Sequence, residues 1–259
     1  MKKIILRSEQ LEKPYVQKIL LEGNENLVWK APRPNSDIET SIREQFNEFL
    51  YGRVCDEHLD TNLYPRLMEQ NLQMGVAVNF FNSNWDPNKD ITSYTNSNKL
   101  HLLFGLDILF HQQDRSMSAT RHLMVNSNDN GTYTLNPIDN GFSLMHIDES
   151  KSDPNMDLET NFFNNLLASN FITSSSDIES ILILIDSMDI KRTVKDIAAY
   201  FVTTCSFTPT IRTFIYCYAD RVISYLEARK SNCKTAIRAW WDQKNDRKEE
   251  QGIVLTFVP

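Results

Sequence analysis

Apolar and polar residues first alternate at strand spacing and then switch to helical spacing. Tyr15-Val16-Gln17-Lys18-Ile19-Leu20-Leu21 and Leu27-Val28-Trp29-Lys30 are β-rich runs around Glu22-Gly23-Asn24-Glu25-Asn26, and residues 1–34 as a whole read as strands. Ala31-Pro32-Arg33-Pro34 ends the second run, because proline cannot donate to a strand ladder. Ser36-Asp37-Ile38-Glu39 has the form of a capping box, and Ile38, Ile42, Phe46, Phe49, Leu50 and Val54 follow at helical intervals. That pattern predicts an amphipathic helix over 37–58.

Residues 67–81 contain the apolar run Met74–Phe81 and predict a strand pair. Asn, Asp, Ser and Pro then dominate 82–98, which reads as a hinge or exposed loop. An apolar helix is expected over 99–110, then a strand at Leu123-Met124-Val125 and a hairpin turning at Asn130-Gly131 toward Ile138-Asp139-Asn140-Gly141. Beyond an acidic loop at 147–154 the pattern is helical. Helices are expected over 156–171, from a second capping box at Ser176-Asp177-Ile178-Glu179, over 191–204, from Thr208-Pro209 to about Lys230, and over 234–250. Ile253–Val258 is strand-like.

Composition narrows this little. The 259 residues are 41% hydrophobic and 24% charged, as in an ordinary globular protein with material for a sizeable core. A net charge of -7 argues against a large basic nucleic-acid surface, and seven glycines limit Gly-rich phosphate loops. Cys55, Cys205, Cys217 and Cys233 form no CxxC pair and suggest neither a disulfide framework nor a zinc knuckle. No apolar run approaches the roughly 20 residues of a membrane span, so a cytoplasmic protein without membrane contact is expected. The basic positions Lys230, Lys234, Arg238, Lys244, Arg247 and Lys248 read as a solvated helix face, with an acidic partner as the alternative.

The candidate chemistry sits between Leu100 and Leu144. Asp114 follows the apolar helix and Asp139 follows the hairpin, so two carboxylates end adjacent elements. Such a pair suits an enzyme that positions a hydroxyl with one carboxylate and a metal-bound nucleotide with the other. Taken singly, Asp139 also reads as a turn aspartate, Lys30 as a solvated strand-end lysine and Glu48 as a surface glutamate. His58, His101, His111 and His146 read as packing or surface residues.

Gln112-Gln113-Asp114-Arg115, the strand Leu123-Met124-Val125 and Ile138-Asp139-Asn140-Gly141 together resemble the core of the HipA-like kinases, particularly the shorter bacterial members. The resemblance spans roughly the first 145 residues. It implies an α+β, two-lobed protein-kinase-like fold: a β-rich first lobe over 1–83 and a mainly helical second lobe over 84–259. The second lobe would hold the catalytic segment 100–145 and a helical bundle over 155–250.

The resemblance also implies ATP and Mg²⁺ as cofactors, a serine/threonine protein substrate, and for toxin members an antitoxin or regulator as partner. Lys30 would hold the α/β-phosphates, Glu48 rather than Glu44 would pair with it, and the Gly23 hairpin would roof the nucleotide. Asp114 would orient the attacking hydroxyl, Arg115 would brace the loop, and Asp139 would bind metal. The pattern departs in places. Gln112 replaces an Asn, Ser116 replaces a His, and the second metal-binding Asn falls on Ala119. Aligning on the next strand puts His122 there instead, and Asn126 or Asn128 could serve under another loop path. The runner-up is therefore a degenerate kinase that binds nucleotide or a protein without turnover. A weaker third is an interaction module in the helical half.

Overall fold

The computed structural model describes residues 5–11, 13, 15–23, 25–70, 73–81, 83–86, 88, 90–112, 115, 122–128, 131–144, 147, 158 and 171–254, with side chains in the last helix as far as Asp246. Its first part is a sheet of β1 (Ile5–Gln10), β2 (Val16–Leu21), β3 (Glu25–Lys30), β4 (Arg66–Gln70) and β5 (Gln73–Asn79), in the order β1-β2-β3-β5-β4. Every pairing is antiparallel.

The pleat divides this sheet into two faces. Ile19, Leu21, Leu27, Trp29, Ala31 and Ala77 gather into a small core on one face. Val28 and Lys30 therefore point to the other face. There Val28, Val76 and Val78 join the main core, in which α1 (Ile38–Leu59) also packs. The buried Trp29 indole donates from Nε1 to the Met68 carbonyl at 3.1 Å. Gly75 makes room for that ring, since a Cβ there would lie 2.6 Å from Trp29 Nε1 and 2.2 Å from the Lys30 carbonyl oxygen.

α1 starts at a different cap from the one its sequence suggests. Asp37, not Ser36, accepts from the Thr40 amide at 2.8 Å. Either residue type can cap, and the chain fits the register one residue later. Between Ser83 and Lys99 the expected loop contains a two-residue strand, β6 (Ser83–Asn84), and 3-10 turns at Ile91–Ser93 and Ser97–Lys99. β6 pairs with β7 (Leu123–Ser127), which pairs with β8 (Tyr133–Pro137). The helix α2 (Leu100–Leu109) lies in the interior of the main core, with eight of its residues buried.

The remaining described elements are helices: α3 (Ser175–Ser187), α4 (Ile190–Thr204) and α5 (Pro209–Val254). The expected box at Ser176/Glu179 is replaced by a reciprocal box between Ser174 and Asp177. The two helices expected on either side of residues 231–233 are one 46-residue helix. Leu226, Arg229, Cys233, Ile237 and Trp240 continue a single buried stripe through that point. Ile253 and Val254 belong to this helix rather than to a strand, and the helix expected at 156–171 lies largely outside the described residues.

Lys230 donates to the Asp186 and Met188 carbonyls, and Lys234 pairs with Asp186. Part of the basic face thus caps the end of α3. One continuous core joins α1 to the helices: Phe46 meets Phe201 at 5.3 Å and Tyr218 at 5.6 Å, and Phe104 meets Trp240 at 5.1 Å. Fully burying one such side chain contributes roughly 1.5–3 kcal/mol. Among the described residues no helix is long and apolar enough to cross a membrane.

Gly75→Ala forces a methyl against the β3 backbone and the Trp29 ring. It is expected to lower unfolding stability by about 1–3 kcal/mol, read as a lower urea midpoint. An unchanged midpoint would show that β5 has slack at this position.

Candidate active site

Lys30 is the last residue of β3, and its ammonium reaches across the molecule to two carboxylates. Nζ donates to Glu48 Oε2 at 2.9 Å and to Asp139 Oδ1 at 2.7 Å. Glu48 is buried on α1 and also accepts from the Gly141 amide at 2.9 Å. Asp139 follows β8 in the left-handed region, at φ 58°, where a short polar side chain is better tolerated than a bulky one. Its own carbonyl accepts from Gln112 Nε2 at 3.1 Å. A 3-10 turn over Asn140–Phe142 then brings Gly141 against α1, where a Cβ would lie 3.3 Å from the Glu44 carbonyl oxygen.

Charge explains the ionisation of this group. Burial alone would lower the Lys30 pKa, but attraction to Glu48 and Asp139 outweighs it and holds the ammonium above its ordinary range. The same ammonium holds the Asp139 carboxyl well below the usual carboxylate range, against the opposing effect of burial. Lys30 and Asp139 are therefore both charged near neutral pH.

A second, fully buried cation fixes the Asp139 turn from below. Arg115 is 0% exposed and pairs with Asp107 on α2 through Nε at 3.0 and 3.1 Å and through Nη2 at 2.9 Å. Nη2 also donates to Asn140 Oδ1 at 3.0 Å, and Nη1 donates to the Ile138 carbonyl at 3.1 Å. The Tyr51 hydroxyl donates to Asp107 as well. Arg115 therefore ties α2, the end of β8 and the residue after Asp139 together, while the loop it was expected to brace lies largely outside the described residues.

Above this turn lies a cavity of about 770 Å³, within the usual size range of small-molecule sites. Val16, Val28, Val76 and Val78 roof it, Met124 and Ile138 form its floor, and Asn79, Phe80 and Phe81 close one side. Leu27 pairs with Asn79 whereas Lys30 pairs with Val76, so this connecting segment lies along β3 from the charged end. An apolar slot thus runs beside a cluster of one ammonium and two carboxylates.

The sequence candidates fall out unevenly. Lys30, Glu48 and Asp139 meet. His122 precedes β7, and its Nε2 lies 3.9 Å from Asp139 Oδ2. Asn126 pairs with Thr134 along β7, about 10 Å from that end at a strand's rise per residue, so it is not placed to share an ion with Asp139. Asn128 instead donates to Thr132 and Thr134 within the hairpin turn. Gly23, at φ 90°, turns the β2–β3 hairpin at its far end, because Leu21 pairs with Glu25 there and Val16 pairs with Lys30 at the cleft. The turn that covers the cleft is the β1–β2 turn, with Leu11, Lys13 and Tyr15. Asp114 lies outside the described residues. Sequence patterning gave no sign that Lys13 and Arg33 line the cleft, because both sit in short irregular segments.

Among solved structures, the chain is similar to the proinflammatory kinase CtkA from Helicobacter pylori, at 14% identity and a TM-score of 0.54. The likeness covers 92% of this chain and 96% of that one. The fold is two-lobed and protein-kinase-like. No family model and no curated protein matches the chain.

Two outcomes follow from the buried charges. Arg115→Leu strands the Asp107 carboxylate and is expected to cost about 3–5 kcal/mol of stability. Replacing Asp107 by Leu as well should recover part of that loss, and additive losses in a denaturation cycle would contradict the pairing. Asp139 has a folded-state pKa below its unfolded value of about 3.9. Its ion pair therefore stabilises the fold above that pH, and the contribution is lost as pH falls through the folded value. Lys30→Met should flatten this acid dependence between about pH 5 and pH 2, measured by urea midpoints at a series of pH values.

Proposed function

We propose that the chain is an ATP- and Mg²⁺-dependent phosphotransferase of the HipA-like kinase type, passing a γ-phosphate to a hydroxyl on a protein. The observation that carries this is the Lys30 ammonium held between Glu48 and Asp139 at the charged end of an apolar cleft. Glu48 fixes the aim of Lys30, and the Lys30 contact to Asp139 can be exchanged for a phosphate oxygen without leaving the ammonium unpaired.

The donor set fits one magnesium ion. Mg²⁺ sites commonly use one or two carboxylates beside phosphate oxygens and water, and Asp139 supplies one carboxylate at the right end of the cleft. That ion would offset negative charge on the phosphates. A second oxygen ligand is missing among the described residues: the neighbour of Asp139 is the imidazole of His122, a poor partner for Mg²⁺. Asp114 stands one residue before the buried Arg115 in the sequence. In the transfer, Asp114 would take the hydroxyl proton as the acceptor oxygen bonds to the γ-phosphorus and the bond to the β-phosphate oxygen breaks. A regulator or antitoxin partner belongs to this proposal as well.

His122 in place of an oxygen ligand favours one second reading, a degenerate kinase that binds nucleotide or protein without turnover. Incubation with γ-labelled ATP, Mg²⁺ and a protein acceptor, with autophosphorylation followed, separates the two. The expected result is transfer that falls ~100-fold or more in Asp114→Ala and in Asp139→Ala. Full wild-type rates in both variants would sink the proposal. ATP binding that needs no Mg²⁺ and gives no transfer would favour the second reading.

A further inference from the structure

We propose that Lys13 and Arg33 are phosphate-positioning residues, holding the triphosphate by side-chain charge where the turn over the cleft has no glycine amides to offer. The inference rests on the phosphotransferase reading above and assigns a role to two residues within the same cleft.

Glycine-rich phosphate loops work because successive backbone N–H groups point unpaired at the anion. The β1–β2 turn here reads Leu11-Glu12-Lys13-Pro14-Tyr15 and contains no glycine. Pro14 has no N–H to give. The Leu11 amide is spent on the Val16 carbonyl at 3.0 Å, and the Val16 amide on the Lys13 carbonyl at 3.0 Å. A turn wired in this way offers few donors from its backbone, yet it lies over the same cavity as Lys30 and Asp139.

Its side chains offer what its backbone lacks. Lys13 is exposed at the cavity wall, and its ammonium makes no hydrogen bond or ion pair among the described residues. It lies near enough to Asp139 to help hold that carboxyl charged. Arg33 follows β3 and lines the cavity too. It is held from two sides: Nε lies 3.2 Å from Glu44 Oε2, and the guanidinium lies 5.7 Å from the Tyr15 ring centroid. Tyr15 belongs to the covering turn, so the Arg33 stack joins that turn to the end of β3. Glu44 anchors Arg33 in place, which favours a fixed guanidinium over a wandering one. Lys13 and Arg33 thus line the same cavity as Lys30, where a triphosphate would lie.

Binding of ATP, ADP and adenosine to the full chain, with Mg²⁺ and with EDTA, tests this by calorimetry. Lys13→Gln and Arg33→Gln should each weaken ATP about fivefold and leave adenosine unchanged. Lys13→Arg should restore most of the ATP affinity, and in the transfer assay KM for ATP should rise more than kcat falls. If the wild type prefers ATP to adenosine and both Gln variants keep that preference, the proposal falls and the phosphotransferase reading stands. A parallel loss of adenosine binding would show that the residues only support the fold, and also overturns it. If the wild type shows no preference for ATP over adenosine, the phosphotransferase reading fails first and takes this proposal with it.

Discussion

One ammonium group joins three parts of the chain. Lys30 lies 18 positions from Glu48 and 109 from Asp139, and each carboxylate accepts from it within 3 Å. Without that charge, two anionic side chains from facing elements would share a confined site and repel one another. Charge-assisted bonds of this kind are worth roughly 1.5–3 kcal/mol each, against a desolvation cost that burial imposes on all three groups. The cluster is therefore a poor stabiliser for its expense and a good device for fixing position. Strand, helix and turn are held at one point, and the apolar cleft opens beside that point.

Two further polar junctions keep the point fixed. Arg115 presents its donors to Asp107, Ile138 and Asn140, so no part of the Asp139 turn can shift without breaking a buried contact. Asn47, one residue before Glu48, donates to the Ser143 carbonyl at 2.6 Å and accepts from the Tyr218 hydroxyl at 2.9 Å. α1 is thereby sewn to both the Asp139 turn and α5. Among the described residues, buried Asn47, Glu48, Asp107, Gln112, Arg115, Asn140 and Ser143 gather around this point, and the helices beyond it are held mainly by apolar packing, with Arg229 buried among them.

Local patterning carried most of the strands and the first helix, because pleat and helical period dictate faces directly, whereas the Lys30–Glu48–Asp139 set was legible only through the resemblance to the HipA-like kinases. Patterning failed where tertiary contacts decide. Residues 231–233 look like a helix break, since Ser and Asn cap well. Buried Arg229, donating to the Ile108 carbonyl at 2.8 Å, and buried Cys233 do not read as core, yet they continue the stripe. A run of three serines at 174–176 offered several equivalent caps, and packing chose the first. Gly23 and Asn126 have suitable chemistry, but strand register places one at the wrong end of its hairpin and the other too far along its ladder. His122 was found by aligning on the strand rather than on residue count, which is why its proximity to Asp139 was legible and the reach of Lys13 was not.

The Asn47 junction has a consequence for what its position can tolerate. Its amide gives a proton to one neighbour and takes one from the other, so the bridge has a sense of direction. Aspartate has nearly the same shape but only oxygens at its tip, and would set one of them against the Ser143 carbonyl. Leucine would fill the space and leave both neighbours dry and unanswered. Only a terminal group that is half donor and half acceptor closes the circuit, so this site distinguishes between isosteres by polarity alone.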